Sequence, residues 1–368
     1  MATTIEPNDP TTPAGIIIIL IPIKTKQNKT NMALPTHQRA LLQPSSTSTA
    51  IDLIPNNPIP TPDYAKNEHL ILVQTTALTN GELLWPKNFP LPAPYSTTKT
   101  LIPCNDVAGT VVLAPPNSPF PPGTNVYARS DYTRTGCARK YTILTTGEMA
   151  LKPTNLSWAE SAATPMSAET AWQALFVHAG LSAEEGIGAK GKTVFVAAAS
   201  GGVGVWVVQL AKWAGAVVWA SCSERNMGWV RGLGADEVVD SRAEGGLRGW
   251  VCGGDSEGER RADVVVDCFG GRVLEESWWV VKEGGVVLSI FEDPEGRKPV
   301  GAPGVAKSLF FVMESDGGQL GRVTGLVERG FCRPAVDSIV PFGEFGRAFE
   351  RVAAGGTRGK VVLDLEGE

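Results

Sequence analysis

Small residues between a short apolar strand and an apolar helix carry the clearest chemistry of this chain. The run Thr193–Ala198 is apolar and β-branched, and Ala198-x-x-Gly201-x-x-Gly204 leads from it into Val205–Ala214, whose apolar positions recur at helical spacing. Small side chains in such a turn let a ligand approach the backbone, and the helix N-terminus offers unpaired N–H groups to an anion. Ser200, Gly201, Gly202, Val203 and Gly204 are therefore candidate ligands of a dinucleotide pyrophosphate. The same spacing also serves plain strand–helix packing. The next strand ends in Ala220-Ser221-Cys222-Ser223-Glu224-Arg225-Asn226. An acid at that strand end would hold the two ribose hydroxyls of NAD. Here Ser221, Ser223, Arg225 and Asn226 offer hydrogen bonds to a 2′-phosphate that a carboxylate would repel. Glu224 reads as the first-turn acid of the following helix. NADPH is the expected cofactor, and Ser223 also reads as the N-cap of that helix.

Acid–base and metal chemistry have few carriers. Three histidines occur, His37, His69 and His178, and the six cysteines are scattered without a Cys-x-x-Cys pair. His69 precedes a strand and reads as a solvent-facing residue. Cys137, in Gly136-Cys137-Ala138, reads as a small packing residue because no histidine neighbours it. All five tyrosines precede the nucleotide-binding pattern. Tyr95 and Tyr132 lie in irregular segments and are the candidate catalytic hydrogen-bond donors, the alternative being amphipathic packing on a β surface.

The elements that must position these residues fall into two patterns. From Met32 to Met166 the chain is Pro-rich, with short strand-like runs at Leu70–Gln74, Val107–Leu113, Asn125–Ala128 and Lys140–Leu144, which suggests a barrel-like β domain. A helix is expected over Trp158–Phe176, with Ser157 as N-cap and Glu160 three residues on. From Lys192 strands and helices alternate. Strands are expected at Thr193–Ala198, Ala216–Ser221, Glu237–Asp240, Asp263–Asp267 and Gly285–Ile290, with helices at Gly202–Ala214, Glu224–Leu233 and Arg272–Lys282. Such alternation predicts an α/β fold with a doubly wound parallel sheet. Ser241–Arg261 reads as a surface loop with at most one helix. After the strand-like Leu309–Met313, the tail ends in a strand, Lys360–Asp364, expected to join the first domain.

The formal net charge of −5 over 368 residues, without a Lys/Arg stripe, argues against a nucleic-acid partner. The apolar run Gly15–Pro22 is too short to span a bilayer, so no membrane role is expected. Residues 1–31 differ in composition from the rest and read as a disordered extension, with organelle targeting as the alternative. The scattered cysteines fit a reduced, cytoplasmic protein.

Several blocks resemble the medium-chain dehydrogenase/reductase superfamily, in its zinc-independent quinone reductase and enoyl reductase branch. They are Ala-Ser-Gly-Gly-Val-Gly ending at Gly204, Gln209–Lys212, Gly232–Val238, Asp106–Val111, Thr170–Leu175, Asp263–Asp267 with Gly270-Gly271, Lys282-x-Gly284-Gly285, Phe310-Phe311 and Gly359–Leu363. They run in order from about Met32 to Leu365. The resemblance implies a chaperonin-10-like β-rich catalytic domain (residues 32–164 with 314–368) and a Rossmann NADPH-binding domain (residues 165–313). It assigns Thr170, Cys268, Phe269, Phe310 and Lys360 to the cofactor. Cys222–Asn226 resembles the adenosine-phosphate contact of fungal trans-acting enoyl reductases, many of which carry a Tyr where this chain has Ser241 after Asp240. Thr79 and Glu82 stand where relatives carry the Asn and Asp of Asn-Pro-x-Asp near the nicotinamide, which makes Thr79 a catalytic candidate. Zinc-dependent relatives bind metal through Gly-His-Glu. Here Cys104-Asn105-Asp106 occupies that place, so no metal is expected.

The implied activity is NADPH-dependent reduction of an activated C=C bond or a quinone, with hydrogen bonds in place of zinc. Two alternatives are a zinc-free carbonyl or alcohol oxidoreductase and a low-turnover NADPH-binding partner in a biosynthetic complex. A small-molecule substrate and a homodimer through the Rossmann sheet edge complete the expectation.

Overall fold

A computed structural model of the chain describes residues 34–242, 245–253 and 260–366; the proposed extension 1–31 lies outside them. Thr36–Glu368 forms one compact unit. It opens with a two-stranded antiparallel sheet, β1 (His37–Leu42) and β2 (Asp52–Pro58). Five strands follow: β3 (Glu68–Leu78), β4 (Asp106–Leu113), β5 (Asn125–Arg129), β6 (Tyr141–Thr145) and β7 (Met149–Leu151). These pair antiparallel around β3 and β4, with bulges that bend the sheet toward a barrel.

The second sheet has six parallel strands: β8 (Thr193–Ala197), β9 (Val217–Cys222), β10 (Glu237–Asp240), β11 (Ala262–Asp267), β12 (Val281–Ser289) and β13 (Lys307–Phe310). Their order is β10-β9-β8-β11-β12-β13. The chain reverses its winding at β8, and in such sheets ligands bind beyond the strand ends at that switch point. Strand cores of Val and Ala bury completely between the helical layers, for example Val194, Val196, Val265 and Val266. The tail then returns to the sheet built around β3 and β4. β14 (Val336–Pro341) runs parallel to β15 (Lys360–Asp364), which pairs antiparallel with β3. The expected fate of the terminal strand is observed.

Strand register sets the site. Ala77 of β3 faces Asp106 of β4, and Asp106 faces Arg129 of β5. β15 meets the same end of β3 through Val361 and Leu78. Four strand ends thus bring Thr79, Asp106, Arg129 and Lys360 to one rim. A parallel bridge between Gly201 and Gly359 ties this rim to the glycine turn after β8.

Three expectations need correction. The helix over Trp158–Phe176 is broken: one α-helix spans Trp158–Ala162, a second Pro165–Trp172, and a π-helix Gln173–His178. Pro165 has no N–H for the first helix and suits the first position of a new one. The Ser157–Glu160 capping box forms as expected. The helix expected over Arg272–Lys282 ends at Ser277, because Val280 and Val281 lead into the sheet, where Val281 pairs with Ala262. His69 is 0 % exposed. Its Nε2 meets Ser118 Oγ at 2.6 Å and its Nδ1 meets Asn67 O at 3.1 Å, so the barrel wall satisfies both ring nitrogens. Burial holds its pKa below the usual imidazole value.

Candidate active site

The turn after β8 is built for a close-lying ligand. Ala198 has φ 57° and Gly201 precedes the helix Gly202–Trp213 without a side-chain cap. The first amides of that helix, those of Gly202, Val203 and Gly204, have no intrahelical acceptor. A Cβ on Gly204 would lie 2.6 Å from Ala198 O and Ala199 Cα, so this position tolerates only glycine. Ser200 Oγ accepts from Asn226 Nδ2 at 3.0 Å, which ties the turn to the end of β9. Ser221 Oγ is buried without a partner.

Beyond β9 lies an open groove of about 560 Å³, lined by Ser223, Glu224, Arg225, Asp240, Arg242 and Ala354–Gly356. Arg225 donates to Gly356 O at 2.9 Å. Arg358 donates to Asn226 Oδ1 at 2.7 Å and to Arg225 O at 3.0 Å, so a third guanidinium stands behind the groove. The signal for Arg358 was its place directly before the Gly359-Lys360 block. The groove is mixed in charge, because Glu224 and Asp240 share its lining with the arginines.

At the rim, Lys360 crosses from one sheet to the other. Its stem lies over the glycine turn after β8: a Cβ on Gly202 would sit 3.2 Å from Lys360 Cδ and 3.0 Å from Ser167 Oγ. Its Nζ donates to Thr79 Oγ1 at 2.6 Å and lies 3.0 Å from Asp106 Oδ2, within a nearly dry pair. Asp106 Oδ1 accepts from Met166 N at 2.7 Å. Thr79 Oγ1 donates in turn to Met166 Sδ at 3.3 Å. Glu82 turns inward beneath it, accepting from Thr79 N at 3.3 Å and Cys104 N at 3.0 Å. Burial pushes Glu82 up to about 7 against the pull of Lys360 and these two amides, while Asp106 opposes its charge. Burial and Glu82 also push the Cys104 thiol well above its ordinary range.

Other site candidates are placed as follows. Thr170 is buried and donates to Met166 O at 2.5 Å, so the helix Pro165–Trp172 orients both it and Met166. Cys268 and Phe310 are half-buried at strand ends, and Phe269 is 60 % exposed. Burial raises Cys268 well above the usual thiol value. Tyr95 stands 44 % exposed on a single helical turn, Tyr95–Thr98. Tyr132 donates to Phe89 O at 3.3 Å, packs edge-on to Trp85 and has Lys99 Nζ over its ring, 3.8 Å from the centroid. Burial pushes its phenol up to about 12, and Lys99 down to about 8, the latter also through Arg129. Cys137 is buried among packing residues.

Sequence reasoning missed a second buried charge group. Arg129 donates to Ser315 Oγ at 3.0 Å, and Glu169 Oε1 accepts from Asp316 N at 2.7 Å. Burial raises Glu169 well above the carboxylate range, opposed by Arg129 and that amide. An acid within a helix buried along its whole length has no periodic signature that separates it from an exposed one.

The chain belongs to the medium-chain dehydrogenase/reductase superfamily, within the zinc-binding dehydrogenase family and on its quinone-oxidoreductase side. Residues 233–363 match the family described as "Zinc-binding dehydrogenase". The chain is 46 % identical over 312 residues to the "Probable zinc-binding oxidoreductase, mitochondrial" of Arthroderma benhamiae, covering 84 % of this chain and 91 % of that protein. It is 30 % identical over 275 residues to the mitochondrial "NAD(P)H oxidoreductase RTN4IP1" of Mus musculus, covering 67 % and 65 %. Further relatives carry quinone-oxidoreductase names. A solved quinone oxidoreductase from Coxiella burnetii shares the fold with a TM-score of 0.70 at 21 % identity, covering 89 % of this chain and 99 % of that one. The chain is an oxidoreductase of an NAD(P)H-dependent family.

These comparisons overturn the cytoplasmic expectation, since two of these relatives are named as mitochondrial. A scattered set of cysteines does not single out one compartment. Among the described residues no helix is long and apolar enough to cross a membrane.

The family description names zinc, and the donors here do not fit it. Asn105 Nδ2 donates to Ser130 O at 3.1 Å and Ser130 Oγ at 3.0 Å. Cys104 Sγ faces Glu82 at 3.8 Å, and Lys360 occupies Asp106. Among the described residues no group of three His, Cys, Asp or Glu side chains could hold a metal ion. Tetrahedral Zn²⁺ needs thiolate, imidazole or carboxylate donors free to turn toward it.

Proposed function

We propose that this protein is a zinc-free, NADPH-dependent reductase of electron-poor C=C bonds or quinones. The observation that carries the reading is Lys360, whose ammonium meets Thr79 and Asp106 at the rim while its stem crosses Gly202 of the phosphate turn. A bound nicotinamide supplies hydride. The amides of Gly202–Gly204 hold the pyrophosphate, and Ser223, Arg225 and Arg242 take the 2′-phosphate in the groove beyond β9. Lys360 and Thr79 then supply a cation and a hydroxyl for the negative charge that builds on a conjugated oxygen, the work a metal would otherwise do. The mitochondrial names of its relatives support the same compartment for this chain.

The test has two parts. Fluorescence titration should give tighter binding of NADPH than NADH by on the order of 1–3 kcal/mol, as for charge-assisted bonds, with the preference lost in Ser223→Ala/Arg225→Ala. Steady-state assays should find turnover with an enal or a quinone and none with ethanol. Equal affinity for both nucleotides, or ethanol oxidation without enal or quinone reduction, overturns the reading.

A further inference from the structure

Thr79 holds an unusual hydrogen-bonding position. Its oxygen accepts the strong bond from Lys360 Nζ at 2.6 Å, while its own hydrogen is directed at the thioether of Met166, 3.3 Å away. A thioether is a weak acceptor. The hydroxyl is half-buried, and Lys360, Asp106 and Glu82 around it are almost wholly dry. A polarised O–H with no good acceptor, beside three buried charged side chains, is set to donate to an oxygen that a ligand brings. The alternative donors are worse placed, since Tyr95 stands in solvent and Tyr132 is already bonded to Phe89 O.

We propose that Thr79 and Lys360 form a two-step proton relay that completes the reduction. This rests on the reductase reading above. As hydride adds to the electron-poor carbon of the enone or quinone, the π electrons move onto the conjugated oxygen. Thr79 O–H breaks and that oxygen gains the proton; one Lys360 N–H breaks and re-forms the Thr79 hydroxyl. The neutral Lys360 amine regains its proton from water after the product leaves. Asp106 Oδ2, 3.0 Å from Nζ, holds the Lys360 ammonium in place between turnovers. Asp106 is a positioning residue: its other oxygen is fixed by Met166 N, so it cannot follow a displaced lysine.

Thr79→Val, which keeps shape and removes the hydroxyl, tests the relay, with Thr79→Ser as rescue. Quinone or enal turnover should fall about 100-fold or more in Thr79→Val, in line with the loss of a general acid, and recover in Thr79→Ser. The solvent deuterium isotope effect on kcat of the wild type should vanish in the Val variant. A second readout does not depend on turnover. The absorbance of p-nitrophenol bound to protein saturated with NADP⁺ should report more phenolate at a given pH in wild type and Thr79→Ser than in Thr79→Val. NADPH affinity should stay within threefold throughout. Unchanged turnover in Thr79→Val, or an equal loss of nucleotide binding and rate, overturns the relay. A wild type that consumes no NADPH with either acceptor overturns the reductase reading, while the p-nitrophenol difference still decides whether the hydroxyl and ammonium hold an oxyanion.

Discussion

Glu82 lies under the loop that carries Thr79, and its ionisation has a sign that can be worked out. Burial raises its carboxyl from 4.5 to about 7, against Lys360 and the amides of Cys104 and Thr79. In the unfolded chain it titrates near its ordinary value. The folded state therefore binds the extra proton, and the resulting stability is fully present below about pH 4.5 and lost as pH rises to 7. The ionised form costs on the order of 3 kcal/mol, at about 1.4 kcal/mol for each pH unit between the two values. Urea denaturation of wild type and Glu82→Gln should thus show a stability difference that shifts in favour of the variant between pH 4.5 and 7 and levels off above. A difference that stays flat across that range means Glu82 is already ionised in the fold. None of this was legible from composition, because Glu82 is one acid among many in the sequence. Its burial follows from a 3₁₀ turn, Glu82–Leu84, entered through Gly81 at φ 76°.

At the scale of elements, the residues that were read well act locally. The glycine turn after β8 and the Ser157 cap declare themselves within four residues of sequence, and β10 and β15 fall within the expected bounds. What stayed hidden depends on contacts across the chain. His69 looks polar until β6 and Ser118 close over it, and Lys360 and Thr79 are 281 residues apart. Their meeting rests on Gly359, which has φ 75° and whose added Cβ would fall 2.0 Å from Ala335 O. Gly359 also donates to Ser200 O at 3.1 Å, so the same residue sets β15 beside the glycine turn after β8. Gly359→Ala should therefore destabilise the fold by more than the roughly 1 kcal/mol of an ordinary left-handed position. It should weaken NADPH binding and turnover together, because it shifts both ends of the Lys360 bridge. Thermal melts with nucleotide titration check this. A variant that melts like wild type and binds normally would show that β15 reaches its register without the turn.

At the scale of the whole molecule, β13 is the outermost strand of the parallel sheet, bonded to β12 on one side. An edge strand presents a row of peptide groups that a second copy can pair. Just past its end Val312 is 59 % exposed. Pairing β13 with its two-fold mate would satisfy the edge and draw Val312 into one isologous interface. The glycine turn proposed to bind the nucleotide lies at β8, three strands inward, so dimer formation and cofactor binding should separate experimentally. We expect wild type to sediment as a dimer. Val312→Asp should sediment as a monomer, because pairing would desolvate a carboxylate at each end of the joined edge. NADPH affinity in that variant should remain within threefold of wild type. A wild type that is monomeric at micromolar concentration, or a Val312→Asp dimer of unchanged stability, would assign the exposed edge to another role.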